Sequence, residues 1–566
     1  MSTTMLTQDS DARARARMLA AAVCLTAMSL SACGGGGGGS STPSPVVVTP
    51  PPPPPVSGPT WTPGVFAAAS TFKNRCEIPR TGNDLFGRPF PDRAGTALEE
   101  RFWLRSWTNE TYLWNTEVTD QNPANFSTRT AYFDVLKTTA TTPSGKSKDS
   151  YHDSESTVTY QQSQLNTSAT YGAGLVAFST RPPRDYRVAY TEPLSPAAAV
   201  VNGQPNLVRG TRILRVNGVD LVNGNTQAEL DQLNAGLFPS AAGTTTTFVV
   251  RDSGATVDRT VTLTSLILDA SPVNKTRVIN TPTGKVGYIL LNTFFPEQTE
   301  RAVVQAITDM RINSVNDLVL DLRYNGGGLL AVSSQLSYMI AGASRTNGRS
   351  FSRLRFNNGT GSVNPVTGGA NTPTPFYDKT LGFGSPPFLS EGVALPTLNL
   401  NRVFVLSTGR TCSASEAVIN GLRGIDFEVN LIGDKTCGKP FGFYPQDNCG
   451  ETYYTIQFQT TNDKFFGEYA DGFIPNNSTT SFGIRMPGCQ VVDDLTGELG
   501  DPAERLLAAA LQFRSNGSCP TPASGLAPAD RVQSSDADGL ALEPPQPRLM
   551  ETNLDMRLPR DTRGAQ

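Results

Sequence analysis

The sequence predicts a multidomain α/β protein. Three observations carry this. From about Lys285, strand-like and helix-like segments alternate, which indicates parallel strands joined by helices. Ahead of that, from about Tyr171 to Ser265, the texture is β-rich. Earlier still, from about Phe72 to Leu165, apolar residues recur at helical spacing, and three of the four tryptophans occur there. A chain of 566 residues has room for two to four such units. Its net charge of −3 gives no electrostatic case for binding nucleic acid.

At the N-terminus, Arg13, Arg15 and Arg17 precede an apolar run, Met18 to Leu30, that is too short to span a bilayer comfortably. The run ends in Leu30-Ser31-Ala32-Cys33, which resembles a bacterial lipobox. The resemblance implies a signal peptide over 1–32 and a lipidated Cys33 as first mature residue. It implies a protein held on a membrane of the bacterial cell envelope, facing the periplasm or exterior. An ordinary signal peptide cut after Ala32 is the alternative, and it also exports the chain. Residues 33–65 are rich in glycine and then proline, and read as a tether. Six cysteines besides Cys24 and Cys33 remain: Cys76, Cys412, Cys437, Cys449, Cys489 and Cys519. In an oxidising compartment they suggest disulfides, with 15 possible pairings. None has the spacing of a zinc site, and neither metal nor cofactor is expected.

Residues 66–165 read as a helical N-terminal domain. Thr96-Ala97-Leu98-Glu99 is a capping box, and Trp103, Trp107 and Trp114 share one face if the helix runs that far. They suit a packed core better than a ligand cage. Ala131 to Leu136 suits a second helix. In 166–270, Tyr171-Gly172-Ala173-Gly174-Leu175 precedes a strand, Ile213 to Val216 ends in a tight Asn217-Gly218 turn, and Thr244–Val250 and Thr260–Thr264 are further strands. This segment resembles a PDZ domain. The resemblance implies that Gly172, Ala173, Gly174 and Leu175 hold a peptide's C-terminal carboxylate in a nest of amides.

Residues 275–515 hold the alternating core. Strands are expected at Gly287–Leu291, Asp317–Leu322, Val403–Leu406 and Val429–Ile432. Helices are expected at Glu300–Met310, at Leu329–Ile340 and after Ser413, and a last one starts at Asp501-Pro502-Ala503-Glu504. The polar, proline-rich 520–566 reads as a disordered tail.

Chemistry concentrates in this core. Ser413 lies between a buried strand and a helix start, where a sharp turn presents a hydroxyl and first-turn amides can hold an oxyanion. The plain alternative is a helix cap. The only histidine, His152, lies in a polar run and reads as a loop residue, so the base for Ser413 is sought among lysines. Lys439 sits in a glycine-rich, apolar setting, Thr436 to Phe443, where burial would disfavour its ammonium form. The alternative is an ordinary surface lysine. Arg323-Tyr324-Asn325-Gly326-Gly327-Gly328 follows a buried strand and can aim amides at a ligand, but lacks the Lys-Ser/Thr of a phosphate loop.

The segments Asp321 to Gly328, Ser413-Ala414-Ser415-Glu416 and Gly438-Lys439, preceded by a PDZ-like domain, resemble the carboxyl-terminal processing (tail-specific) serine proteases over roughly residues 72 to 515. The resemblance implies a Ser-Lys dyad of Ser413 and Lys439. It implies an oxyanion hole from the amides of Gly327 and Ala414, a ClpP/crotonase-like core and polypeptide substrates. Three departures stand out. Gly326 replaces a usual proline, the spacing from Ser413 to Lys439 is one residue longer, and Phe443 stands where some members carry a lysine-orienting glutamine. Glu416 and Gln446 are therefore candidate supporting residues. Cys412 and Cys437, which flank the two catalytic candidates, suggest a covalently braced site. A catalytically inactive peptide-binding relative is the competing reading, and a crotonase-like enzyme acting on acyl thioesters is a third.

Overall fold

The computed structural model describes residues 58–164, 169–268, 271–295, 298–383, 388–521 and 540–542. The lipobox and most of the tether lie outside these residues. No helix among the described residues is long and apolar enough to cross a membrane.

Thr96 opens α1 (Ala97–Thr111): its hydroxyl accepts from the Glu99 amide at 3.1 Å, and Glu99 and Glu100 occupy the first turn, where the dipole favours acids. Trp103 and Trp107 are one turn apart, and their rings stack at 5.1 Å in a core with Phe133 and Tyr453. The helix ends at Thr111, so Trp114 leaves that face and meets Phe441 edge-on at 4.8 Å. The second helix is a short one, Arg129–Phe133, beginning and ending earlier than expected. The region also carries β1 (Asp153–Ser156), so it is mixed rather than helical.

The next unit is an antiparallel sheet of β2 (Ala173–Ser179), β3 (Asp185–Thr191), β4 (Arg212–Val216), β5 (Thr245–Arg251) and β6 (Arg259–Thr264). Its order is β6-β5-β4-β3-β2, which leaves β2 at an edge. Asn217 and Gly218, at φ 49° and 84°, turn β4 back onto a short strand, Val219–Asp220. Between β4 and β5 lies α2 (Gln227–Leu237), opened by a reciprocal capping box of Thr226 and Glu229.

The core sheet contains β7 (Val273–Thr281), β8 (Gly284–Leu291), β9 (Asp317–Asp321), β10 (Arg402–Ser407), β11 (Glu428–Gly433), and, beyond β12 (Glu451–Tyr454), β13 (Gly488–Gln490). The order is β7-β8-β9-β10-β11-β13. Only the β7 pairing is antiparallel; the others are parallel. Parallel strands buried on both faces explain the continuous apolar runs. Alternate side chains go to opposite layers. Leu318, Leu320, Val403 and Val405 pack under α3 (Thr299–Ile312), α4 (Leu330–Ala341) and α5 (Ala414–Gly424). Val319, Phe404 and Leu406 pack under α6 (Arg505–Asn516). The last helix starts three residues later than the Asp-Pro signal suggests. The Glu504 carboxylate accepts from the Leu506 and Leu507 amides and sets the boundary.

Disulfides join Cys76 to Cys449, Cys412 to Cys437 and Cys489 to Cys519. The first fastens the N-terminal region to the core, as does the pairing of β1 with β12. Within the stretch expected to be a disordered tail, Leu540 to Leu542 lie against the β2–β6 unit, with Leu542 fully buried.

Candidate active site

The chain leaves β10 through a turn and enters α5 at Ser413, which is held at φ 55° and ψ −112°. Positive φ is strained for a residue with a Cβ, and such strain is kept only where the surroundings enforce it. Here they do. The Cys412 amide donates to the Asn325 carbonyl at 3.1 Å, and the Ser415 hydroxyl reaches the same carbonyl at 3.0 Å. The Thr411 hydroxyl donates to the Leu322 carbonyl at 2.9 Å. The turn is thus sewn to the glycine loop that follows β9. The loop is anchored in turn by Arg323, fully buried, which binds Asp321 at 2.9 Å and Glu504 at 2.8 Å. Burial raises the Asp321 pKa; at Asp493 burial pushes the same way, but the charges of Arg323 and Arg209 together with hydrogen bonds from Tyr324 and the Leu495 amide leave that pKa lowered.

The two later glycines of the loop have separate physical reasons. A Cβ on Gly327, at φ 117°, would lie 2.8 Å from the Ser413 Cβ. One on Gly328, at φ 132°, would strike the Phe294 backbone at 2.5 Å. Gly326 faces open space. The Ala414 amide opens α5 and so has no intrahelical acceptor. The Gly327 amide, the other expected oxyanion donor, donates to Asn325 Oδ1 at 2.9 Å and would have to leave it to receive a substrate oxygen.

Glu416 joins the Ser413 turn to the Lys439 segment. Its buried carboxylate accepts from the Ser413 amide at 3.2 Å, the Lys439 amide at 2.8 Å, the Gly438 amide at 2.9 Å and the Thr436 hydroxyl at 2.5 Å. Burial raises its pKa, and these donors oppose the shift. The Cys412–Cys437 disulfide ties the same two segments covalently. Both sulfurs are in that bond, so their cluster with Glu416 offers no thiolate to a metal.

Lys439 is 1% exposed and Ser413 is 9% exposed. Both line one small cavity with Leu330, Ala414, Ala417, Phe441 and Thr460. A larger open groove, lined in part by Arg353, Phe356 and Phe465, includes neither. The Lys439 Nζ lies 4.3 Å from the Tyr151 ring centre and 4.9 Å from that of Phe443. Phe443 occupies the position where the glutamine was missed. No sequence signal points to Tyr151, whose ring is brought to the lysine by the long-range pairing of β1 with β12.

The other candidates lie elsewhere. Gln446 accepts from the Lys73 ammonium at 3.2 Å and donates to the Pro445 carbonyl at 3.1 Å. His152 is no solvated loop residue. Its Nε2 donates to the Phe133 carbonyl at 2.8 Å, its Nδ1 pairs with the Thr455 hydroxyl at 3.1 Å, and burial lowers its pKa to about 4. With both ring nitrogens engaged it is not available to Ser413. Gly172 and Gly174 make room for Ser195 and the Tyr190 ring, while Ala173 and Leu175 lie on the edge strand β2. The Leu175 carbonyl accepts from Arg410, in the turn before Ser413, at 2.8 Å. That link joins the two units and has no sequence signal.

Residues 285–457 match the family model described as peptidase family S41. No curated protein gives a significant match. Among solved structures, the fold is similar to a protein described as an S41 protease from Bacteroides fragilis, at 23% identity and TM-score 0.53, covering 74% of this chain and 97% of that one. Weaker likenesses are to the photosystem II D1 C-terminal processing protease (16% identity, TM-score 0.39, 70% and 94% covered) and to mature CPAF (13%, 0.34, 67% and 91%).

Proposed function

We propose that this chain, whose residues 285–457 are a peptidase family S41 domain, is a serine endopeptidase that cuts polypeptides by a Ser413–Lys439 dyad. The observation that carries the reading is one cavity shared by a strained serine at a helix start and a buried lysine, with Glu416 and a disulfide fixing one segment against the other. In this reading Lys439 in its neutral form takes the proton as Ser413 Oγ attacks the scissile carbonyl. The Ala414 amide receives the developing oxyanion, joined by the Gly327 amide once it leaves Asn325. The tetrahedral intermediate then collapses. Lys439 returns the proton to the leaving amine, and a water molecule repeats the sequence on the acyl-enzyme. Burial supports the base role, since removal from water disfavours an ammonium.

A fixed cation would serve electrostatics equally well as arginine, but arginine cannot give up its proton. Cleavage of an unfolded protein substrate therefore separates the roles. Lys439→Arg should be as inactive as Lys439→Ala and Ser413→Ala, each down by a factor on the order of 10⁴ or more. Wild-type turnover should rise with pH through one ionisation. His152→Ala should keep most activity if it folds. Wild-type turnover by Lys439→Arg would remove the dyad and send the search for the base elsewhere, whereas no turnover by the wild type itself would favour the inactive, peptide-binding reading.

The physiological setting we infer is the bacterial cell envelope. Three disulfides suit an oxidising compartment, and the lipobox-like Leu30 to Cys33 suits a lipid anchor. Cys33→Ser should leave the chain uncleaved or convert it from membrane-bound to soluble. Wild-type protein that fractionates as soluble without lipid would sink this part. The β2–β6 unit, as a PDZ-like module, would admit substrate C-termini at Gly172 to Leu175 beside the catalytic turn.

A further inference from the structure

We propose that the β2–β6 unit carries a second peptide site, one that takes an extended internal segment bearing a leucine, and that the chain's own Leu540–Leu542 occupies it. The site lies at the end of β2 opposite the Tyr171–Leu175 loop. There the Leu542 amide donates to the carbonyl of Thr180, just past the strand, at 2.9 Å. The Leu540 amide donates to Asn225 Oδ1 at 2.7 Å. Arg184 Nη2 donates to the Leu540 carbonyl at 2.6 Å, and the Tyr186 hydroxyl donates to the Leu542 carbonyl. All four bonds go to the main chain of the segment, so they read an extended backbone and no sequence.

Sequence is read by one side chain. Leu542 is 0% exposed and joins the unit's own core with Tyr186, Val188, Leu221 and Leu230, whereas Leu540 points outward and is exposed. The donor side is built into the unit. Arg184 is fully buried, and its remaining nitrogens are spent on carbonyls of the same unit, Thr180 at 3.0 Å, Leu221 at 3.3 Å and Gly224. Its geometry is thus set before any peptide arrives, with Nη2 left for an incoming carbonyl. Removing the segment would leave Arg184 Nη2 without the carbonyl it binds and would uncover the apolar seat of Leu542, which favours refilling by any segment of the same chemistry. Because 24 residues follow Leu542, the site needs no free carboxylate, unlike the function proposed for the loop at the other end of β2.

Such a site is an exchangeable dock filled in cis, and the tail is its competitor. Because the segment belongs to the same chain as the site, its binding is intramolecular, and an effective concentration of up to about millimolar is enough to mask a peptide that binds at about micromolar strength. The test uses the full chain and a fluorescent peptide copying residues 536–547, read by anisotropy. Wild type should bind it weakly. Full-length Leu542→Ser, its own segment released, should bind roughly tenfold tighter or more. A peptide carrying the same Leu→Ser change should lose that gain. Leu542→Ala, a milder truncation, should fall between and keeps the test valid if the serine variant unfolds. Equal binding by wild type and both variants, or equal binding of both peptides, would show a permanent packing seam and overturn the proposal. The readout is binding, so it stands or falls separately from catalysis.

Discussion

Gly326 and Gly327 are adjacent and chemically identical, yet the structure asks different things of them. Gly327 needs both its φ of 117° and its missing Cβ, because Ser413 packs against that face. A methyl group there would push on Ser413 itself, the proposed nucleophile. Gly326 has neither a positive φ nor a neighbour within reach, which fits relatives in which that position is proline. Gly327→Ala should therefore lose turnover by a factor on the order of 10² or more, the scale of a displaced reacting atom. Gly326→Ala should stay within about threefold, as its added methyl meets only open space. Parallel measurements of turnover and thermal unfolding would check this. Equal losses in the two variants would mean that the loop tolerates no side chain at all, and that contact with Ser413 is not the reason.

At the scale of elements, the parallel core was legible because strands buried on both faces must be apolar throughout, as Val403 to Leu406 are. Ser413 could be singled out because it lies between a strand-like run and a helix start, and Lys439 because its setting is apolar and rich in glycine. What escaped the sequence was decided by partners hundreds of residues away. The stop of α1 is one case. The Leu113 amide donates to the Ile456 carbonyl at 2.8 Å, and Asn357 Nδ2 donates to the Tyr112 carbonyl at 3.1 Å. No local signal at Thr111 announces either bond, so the sequence leaves open whether the helix reaches Trp114, and the structure ends it at Thr111. The Arg410 link to Leu175 is another case. An exposed hydrogen bond of this kind is worth about 1 kcal/mol or less to stability. Its other effect is to fix the edge strand β2 against the turn carrying Ser413. Arg410→Ala should leave denaturant stability within about 1 kcal/mol of wild type. It should lower kcat/KM more for an unfolded protein than for a short peptide that cannot reach β2. A uniform loss on both substrates would place Arg410 in the catalytic turn alone.

On the scale of the whole molecule, the N-terminal region is a component of the site. It is bolted to the core by Cys76–Cys449, by β1 on β12 and by His152 against Thr455, and it delivers the Tyr151 ring to Lys439. The weakest of these fastenings in acid is His152. Burial lowers its pKa from 6.5 to about 4, although Asp149 nearby pulls the other way. In the pH window between those values the unfolded chain takes up a proton that the folded chain refuses. Stability is therefore complete above about pH 6.5 and falls as the solution is acidified, by about 2 kcal/mol at pH 5 from this group. The stacking of the imidazole on Phe133 at 3.8 Å and its bond to the Phe133 carbonyl place the strain beside Trp107, so tryptophan fluorescence reports it. His152→Gln can donate to one partner and accept from the other without titrating. Urea unfolding of both proteins near neutral pH and near pH 5 should show wild type losing about 2 kcal/mol more than the variant. Equal losses would mean that the acid sensitivity arises in the carboxylates. The seam between the N-terminal region and the core would then be neutral to pH.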